Sequence, residues 1–447
     1  MSDFERKKII TNKNRPFSNR ESSSGRIFTS RGGVSIKERD VNSEGSIKQP
    51  TILLKPRESN IEDNSFAKKK QRENEAATSN QASKEIEGTT PVLKHMKKSI
   101  KLIEDGIMNT EHVQEYLQEN SDFIVVAVVG TQHTGKSAIL NLLTHEKITD
   151  SIKKNIFHSN FESKEDFEDT ITLLQRVEES QEDSSNIFKV HDLEDTVDCT
   201  NTTQGIDIYV SSNRVIFLDC QPFIAVSPLY DLINSENKRT NLVNDFIPLE
   251  NSGEIQGLQY TAFLMSVCHI LLLVQDWRFD CNVVRFLQSA EMLKPTKSNP
   301  EDDCLEHFPH LIMIQNRAQM ADFTPKEFKI LQKTYDALLK KTKLQFHTNL
   351  GIGSGRIMKT LSPENCGNPV NLFLIPEEQI DSDDVIYWGH PPLEDLIKKL
   401  RANLFEATKN SLTHVQLTEK TWLVYCNKVW ETVRKSPFFV EYTKLMP

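Results

Sequence analysis

The sequence predicts an α/β fold: a mostly parallel sheet with helices on both faces, behind a long disordered tail. Three observations point to it. Continuous apolar runs, the first at 123–129 (FIVVAVV), alternate with helical stretches, as strands buried on both faces do. A glycine-bearing loop at 130–137 joins that first run to a helix. The composition also changes sharply near residue 92.

Residues 1–92 are rich in Ser, Asn, Lys, Arg, Glu and Gln, with one short apolar run at 51–54. Such a segment cannot bury enough apolar surface to offset the entropy of ordering its backbone, so it is expected to be disordered. The chain's net charge of −9 over 447 residues hides an asymmetry: residues 1–98 hold 21 Lys and Arg against 13 Asp and Glu, or +8, leaving −17 for the rest. The run KKKQR at 68–72 reads first as a solvated charge run and second as a nuclear-import or nucleic-acid patch. At 93–120 the residues Leu93, Met96, Ile100, Ile103, Ile107 and Met108 recur at three- and four-residue steps, which predicts a helical leader, with a second short helix over 111–117.

The α/β series follows. After the strand at 123–129 comes a helix at 137–143, then an acidic, weakly patterned insertion at 150–200. Strands at 206–210 and 215–218 flank a turn at 211–213. Helices are expected at 256–267, 281–293, 324–348, 392–408 and 418–435, and strands at 269–274, 311–315 and 371–375. A second acidic loop covers 299–306. The nucleotide-binding domain is expected to span 121–410, with 411–447 a helical segment packed on it. A composition of 37% hydrophobic and 26% charged residues excludes collagen-like, disulfide-scaffold and wholly disordered classes. The longest apolar stretch, 262–274, is short of the roughly 20 residues a membrane span needs, and the N-terminus has no signal-peptide pattern. The seven scattered cysteines include no CxxC pair, so reduced thiols are expected rather than a zinc site. The cytoplasm is the expected location, with the nucleus as a second compartment.

The chemistry concentrates in Gly130-Thr131-Gln132-His133-Thr134-Gly135-Lys136-Ser137, followed by Ala138, which matches GxxxxGK[ST] between a strand and a helix. Glycines let backbone N–H groups turn inward as an anion-binding nest, and the helix N-terminus adds its positive dipole end. Lys136 would reach the β- and γ-phosphates, and Ser137 would ligate Mg²⁺. The apolar strand ending in Asp219 places a carboxylate for Mg²⁺, and Thr203 or Thr202, ahead of Gly205, sits where a G domain's first switch supplies a hydroxyl; Thr203 is the choice. These parts predict a P-loop G-domain architecture.

Other parts are eroded. In Asp219-Cys220-Gln221-Pro222 a proline stands where G proteins carry a glycine, and it has no N–H to offer a γ-phosphate. In place of N-K-x-D the chain has Asn316-Arg317-Ala318-Gln319: Arg317 could stack on a base, but Gln319 supplies no carboxylate for guanine. GTP/GDP and ATP/ADP both remain open. Gln221 and His133 read as structural hydrogen-bonders rather than catalytic groups, and Asp276 as a helix cap over Trp277. Turnover is expected to be absent or very weak.

On the segments 126–143, 202–222, 271–295, 310–325 and 418–436 the chain resembles the ninth SMG factors of nonsense-mediated mRNA decay. The runs around DCQP and VQDW make the match specific. The resemblance implies a G domain related to dynamin-type GTPases, acting as a regulatory subunit. It implies a heterodimer with a sister G-domain subunit, the eighth SMG factor. It further implies binding to a PI3-kinase-like protein kinase whose phosphorylation of an RNA helicase the pair tunes. By that resemblance Gly130, Gly135, Lys136, Ser137, Thr203 and Asp219 are carried over as site residues. No membrane association is expected, and direct RNA contact is expected to be weak or absent. Two other readings lack their parts. A membrane-active dynamin-like GTPase needs a helical stalk and an apolar anchor, and a P-loop small-molecule kinase needs an Arg-rich lid where 150–200 is acidic.

Overall fold

The computed structural model describes residues 94–157, 186–190, 202–234, 248–276, 280–295, 306–377 and 389–446. The expected disordered tail, most of the acidic insertion and nearly all of the 299–306 loop lie outside the described residues. Ile86–Pro447 form one unit, which includes the C-terminal helices.

Eight strands make the sheet: β1 (Ile100–Glu104), β2 (Ile107–Met108), β3 (Ile124–Gly130), β4 (Ile206–Val210), β5 (Val215–Cys220), β6 (Ile270–Asp276), β7 (His310–Ala318) and β8 (Leu372–Pro376). Their spatial order is β2-β1-β4-β5-β3-β6-β7-β8. β3 runs parallel to β5 and β6, and the parallel series continues through β7 to β8. β4 is antiparallel to β5 and to β1. The continuous apolar run of β3 has the reason anticipated from sequence. It is bonded on both sides, and Val125, Val126, Ala127, Val128 and Val129 have no exposed surface.

The helices are α1 (Thr110–Gln114), α2 (Lys136–Thr144), α3 (Asp150–Phe157), α4 (Ser227–Asn234), α5 (Leu249–Val267), α6 (Cys281–Leu293), α7 (Pro325–Leu339), α8 (Pro363–Cys366), α9 (Leu393–Glu406), α10 (Glu419–Lys435) and α11 (Pro437–Thr443). α2 packs on α3 and α9, whereas α5 packs on α4, α6 and α10. From β3 the chain crosses to β5 on one side and then returns to β6 on the other. Right-handed crossovers in opposite directions place α2 and α5 on opposite faces of the sheet. α3 is an ordered helix at the start of the acidic insertion, burying Ile152 and Ile156.

The first part of the 93–120 leader is not helical, whereas the short second helix expected over 111–117 is present as α1. Residues 100–108 form the β1–β2 hairpin, and only Thr110–Gln114 is helix. Ile103 pairs with Met108 and Glu104 with Ile107, leaving the two-residue turn Asp105-Gly106 with φ of 48° and 76°. Asp-Gly is a strong hairpin signal, because both turn positions need positive φ. The apolar spacing at 100, 103, 107 and 108 follows helical steps rather than strand alternation, and the turn overrides it.

The C-terminal α10 buries Trp422, Cys426, Val429, Trp430 and Val433. Trp430 stacks on Tyr260 of α5 at 5.3 Å between centroids, and its indole N–H donates to the Gly106 carbonyl at 2.9 Å. The Trp422 indole donates to the Val267 carbonyl at 3.0 Å. At the start of α10 the fully buried Glu419 carboxylate pairs with Arg214 and also accepts from the Gln118 amide (2.8 Å) and the Asn120 side chain (3.1 Å). A buried charge is tolerable when it is paired and its remaining lone pairs are met, as here.

At the N-terminal ends of β6 and β7 lie three buried histidines. His269 Nδ1 accepts from the Val125 N–H at 3.1 Å, which fixes its tautomer. His307 Nε2 donates to the Cys268 carbonyl at 2.7 Å and His310 Nε2 to that of Thr408 at 2.8 Å. Burial, aided by the neighbouring histidines and Lys409, lowers His269 to about 3; burial, against its bond to Cys268, lowers His307 to about 4. These rings stay neutral in the fold but protonate near pH 6.5 once unfolded. The unfolded chain therefore binds more protons as pH falls, and stability drops. The expected loss between pH 7.5 and 6 is about 0.8 kcal/mol for each of His269 and His307. Asp207, raised to about 6 by burial, takes up a proton in the folded state over the same range and offsets about 0.4 kcal/mol of that loss. Urea unfolding at pH 7.5, 6.75 and 6 measures this, and a flat profile would contradict it.

Candidate functional site

The reversal of chain direction at β3 opens a crevice beyond its C-terminal end, where ligands bind in open α/β sheets. The 130–137 loop fills that place. At Gly130 a Cβ would overlap the Val274 carbonyl oxygen of β6, so only glycine lets the loop leave the sheet here. Gly135, the N-cap of α2, has φ of 86°, and a side chain there would strike the Asn316 amide. His133 is exposed as a residue, also in the left-handed region at φ 62°; partial desolvation of its ring, then the charges of Lys136 and Arg317, lower its pKa. The Thr131 carbonyl accepts from Thr134 Oγ1 at 3.0 Å and from Lys136 Nζ at 2.8 Å. Gln132 accepts from Ser227 at the start of α4 at 3.1 Å. Ala138 lies half-buried in the first turn of α2. First-turn N–H groups of a helix have no intrahelical acceptor, so this turn offers donors to an anion. The Lys136 ammonium is buried, and that burial, against the pull of Asp219, lowers it to about 8. An anion in the crevice would stabilise its charge.

Ser137, Thr203 and Asp219 converge. Asp219 Oδ2 accepts from Ser137 Oγ at 2.6 Å and from Thr203 Oγ1 at 3.1 Å. Its other oxygen, Oδ1, is buried with no hydrogen-bond partner among the described residues. Burial pushes the Asp219 carboxyl up, while Ser137, Lys136 and Thr203 oppose the shift. An orphaned buried carboxylate oxygen beside two hydroxyls is an all-oxygen donor set, which suits a hard cation such as Mg²⁺. No group of three or more His, Cys, Asp or Glu that could hold a metal is found among the described residues. Mg²⁺ therefore fits only with phosphate oxygens and water completing its shell.

The base side is differently built. Asn316 Nδ2 donates to the Thr134 carbonyl at 3.0 Å, tying β7 to the loop. Arg317, half-exposed at φ 50°, is paired with Asp276. Asp276 is thus not a helix cap. Asp280 caps α6, its Oδ1 accepting from the Asn282 N–H at 2.8 Å, and Trp277 lies outside the described residues. Asp322 is buried, accepting from Gln315 and the Gln319 N–H at 3.0 Å each. It is a structural carboxylate. Gln221 is also locked. Its Oε1 accepts from the Gly205 N–H at 2.9 Å and its Nε2 donates to Gln256 at 3.0 Å. It holds the Thr203 loop rather than a water. Sequence reasoning missed Asp207 and Lys101, whose placement depends on the unexpected β1.

Fold and site together define an α/β protein with a mixed, mostly parallel sheet and an anion-receptive glycine loop at its switch point. The profile of the Smg8_Smg9 family matches residues 118–301, which include the whole loop, Thr203 and Asp219. The nonsense-mediated mRNA decay factor SMG9 of Xenopus laevis is 32% identical over 379 residues, covering 78% of this chain and 67% of that protein. The factor of the same name from Salmo salar is 31% identical over 400 residues, covering 83% and 72%. Protein SMG9 of Drosophila melanogaster is 24% identical over 323 residues. The chain belongs to the SMG9 family. Among the described residues no helix is long and apolar enough to cross a membrane.

The Thr203 loop depends on Gly205, which has φ of 72° and lies so close to β1 that a Cβ would overlap the Ile103 carbonyl oxygen. Gly205→Ala should lower stability by at least about 2 kcal/mol, more than an unstrained Gly-to-Ala change could return. Guanidinium unfolding of the purified chain measures it; a stability equal to wild type would mean that β1 does not press on this loop in solution.

Proposed function

We propose that this chain is a nucleotide-binding regulatory subunit of a protein kinase complex in nonsense-mediated mRNA decay. In this reading it is a P-loop G domain of dynamin-like ancestry in the cytoplasm, heterodimeric with a sister G-domain subunit, the eighth SMG factor. The pair binds a PI3-kinase-like kinase and tunes its phosphorylation of an RNA helicase. The decay role rests on family membership. Nucleotide binding rests on one observation above the rest: the orphaned Asp219 oxygen lies beside the Ser137 and Thr203 hydroxyls, next to the buried Lys136 ammonium.

In this assignment Gly130, Thr131, Gln132, His133, Thr134, Gly135 and Ala138 shape the phosphate cradle. Lys136 neutralises the phosphates, and Ser137, Thr203 and Asp219 face Mg²⁺, which would screen phosphate charge. Asn316 and Arg317 border the base. Pro222 offers no N–H to a γ-phosphate and Gln221 is held by Gly205 and Gln256, which favours a retained nucleotide over a hydrolysed one. A guanine or an adenine nucleotide suits a site whose base side has an amide at Gln319.

Mass spectrometry of the denatured, freshly purified chain should find a nucleoside di- or triphosphate. Lys136→Ala should weaken nucleotide affinity by about 10- to 150-fold, the range for losing a charge-assisted bond to phosphate. The melting temperature without nucleotide should not fall, because a costly buried ammonium is removed. A wild-type chain that neither carries nor binds GDP or ADP would overturn the nucleotide part. Failure to co-purify with the eighth SMG factor would overturn the pairing.

A further inference from the structure

Asp207 and Asp219 stand directly opposite each other on the antiparallel strands β4 and β5, and both are buried. Side chains at such a pair leave the same face of the sheet, and like charges there are destabilising. The site described above accounts for Asp219 only. Asp207 is matched by a third strand: Lys101 of β1 lies opposite it in register and sets its ammonium 2.7 Å from Asp207 Oδ1. The same ammonium donates to the Gln204 carbonyl at 3.0 Å. Gln204 is the residue between Thr203 and Gly205, and its side-chain amide donates to Asp231 of α4 at 3.1 Å. The Thr203 loop is therefore held by Lys101 from the sheet edge, by Gln221 through Gly205, and by Asp219 through its own hydroxyl.

We propose that Lys101 is a positioning residue for the metal side of the nucleotide site. By neutralising Asp207 and tethering Gln204, it keeps the Thr203 hydroxyl and the Asp219 carboxylate in the arrangement that receives Mg²⁺ and phosphate. The inference rests on the nucleotide reading above. Among the described residues the hydrogen bond and ion pair of Lys101 go to Gln204 and Asp207 rather than to the 130–137 loop, so the phosphate cradle is built without it. Without Lys101 a second buried carboxylate faces Asp219 uncompensated. It competes with Asp219 for the hydroxyls and the cation, and the loop loses its tether to β1. The expected signature is a loss confined to the Mg²⁺-dependent part of nucleotide binding.

The test uses the full chain with mant-GDP and mant-ADP as probes, each in Mg²⁺ and in EDTA. Lys101→Met should weaken probe binding in Mg²⁺ by about tenfold, as expected for stripping one partner from a partly buried ion pair, and leave binding in EDTA unchanged. Lys101→Arg should restore most of the loss. The double variant Lys101→Met with Asp207→Asn should recover part of it, because the uncompensated charge is gone. Independently of any nucleotide, hydrogen exchange of the amides at 203–206 should be faster in Lys101→Met than in wild type. An equal loss in Mg²⁺ and EDTA, or unchanged affinity and unchanged exchange, overturns the proposal while leaving the nucleotide reading intact. A wild-type chain that binds neither probe overturns the nucleotide reading and the linkage with it. The exchange data then still decide whether Lys101 clamps the Thr203 loop.

Discussion

The structure depends on one constraint: β3 is bonded to parallel neighbours on both sides and covered on both faces. Its residues from Val125 to Val129 therefore have to be small, branched or both, and none can be polar. Because β5 and β6 flank it, the chain must leave in one direction and return in the other. The covering helices then fall on opposite faces, and only the end of β3 is left uncovered. The glycine loop occupies that end because backbone there cannot carry side chains. Gly130 abuts the Val274 carbonyl and Gly135 abuts Asn316. The position of the site thus follows from packing before any ligand is considered.

Around that end the charges are arranged in a row across the strands. Lys101, Asp207, Asp219 and Lys136 follow one another from an outer strand to the loop, two cations enclosing two carboxylates. Burial works against both carboxylates and the loop lysine, raising Asp207 and Asp219 and lowering Lys136. The row is tolerable because each carboxylate has a cation or hydroxyls of its own. It is also why the hydroxyls of Ser137 and Thr203, from elements far apart in sequence, meet on one oxygen.

Much of this was legible in the sequence. The parallel strands announce themselves as unbroken apolar runs, and GxxxxGKS between such a run and a helix marks the loop. The hydroxyl of Thr203, the residue singled out ahead of Gly205, donates to Asp219. The leader was misread because Ile100, Ile103, Ile107 and Met108 follow helical steps, and the two-residue turn Asp105-Gly106 outweighs the spacing. With β1 unrecognised, Lys101 could not be paired with Asp207, since that contact exists only through the register of three strands. Glu419 was invisible for a related reason. Nothing near it in sequence marks a carboxylate that will be fully buried against Arg214, and local pattern carries no information about a partner 205 residues away.

The anchoring of α10 has a consequence for how the chain is made. Trp430 donates to Gly106, Glu419 pairs with Arg214, and Trp422 closes on Val267. These contacts join α10 to residues between 155 and 324 positions earlier, so they are among the long-range contacts of the fold. Loop closure over such a distance is slow, and domains tend to fold as units during synthesis. On a ribosome the sheet strands emerge long before the helix that covers α5. Until residues 419–435 clear the exit, the apolar face of α5 that receives both tryptophans has no cover, and the growing chain is then most in need of a chaperone or an early-bound partner.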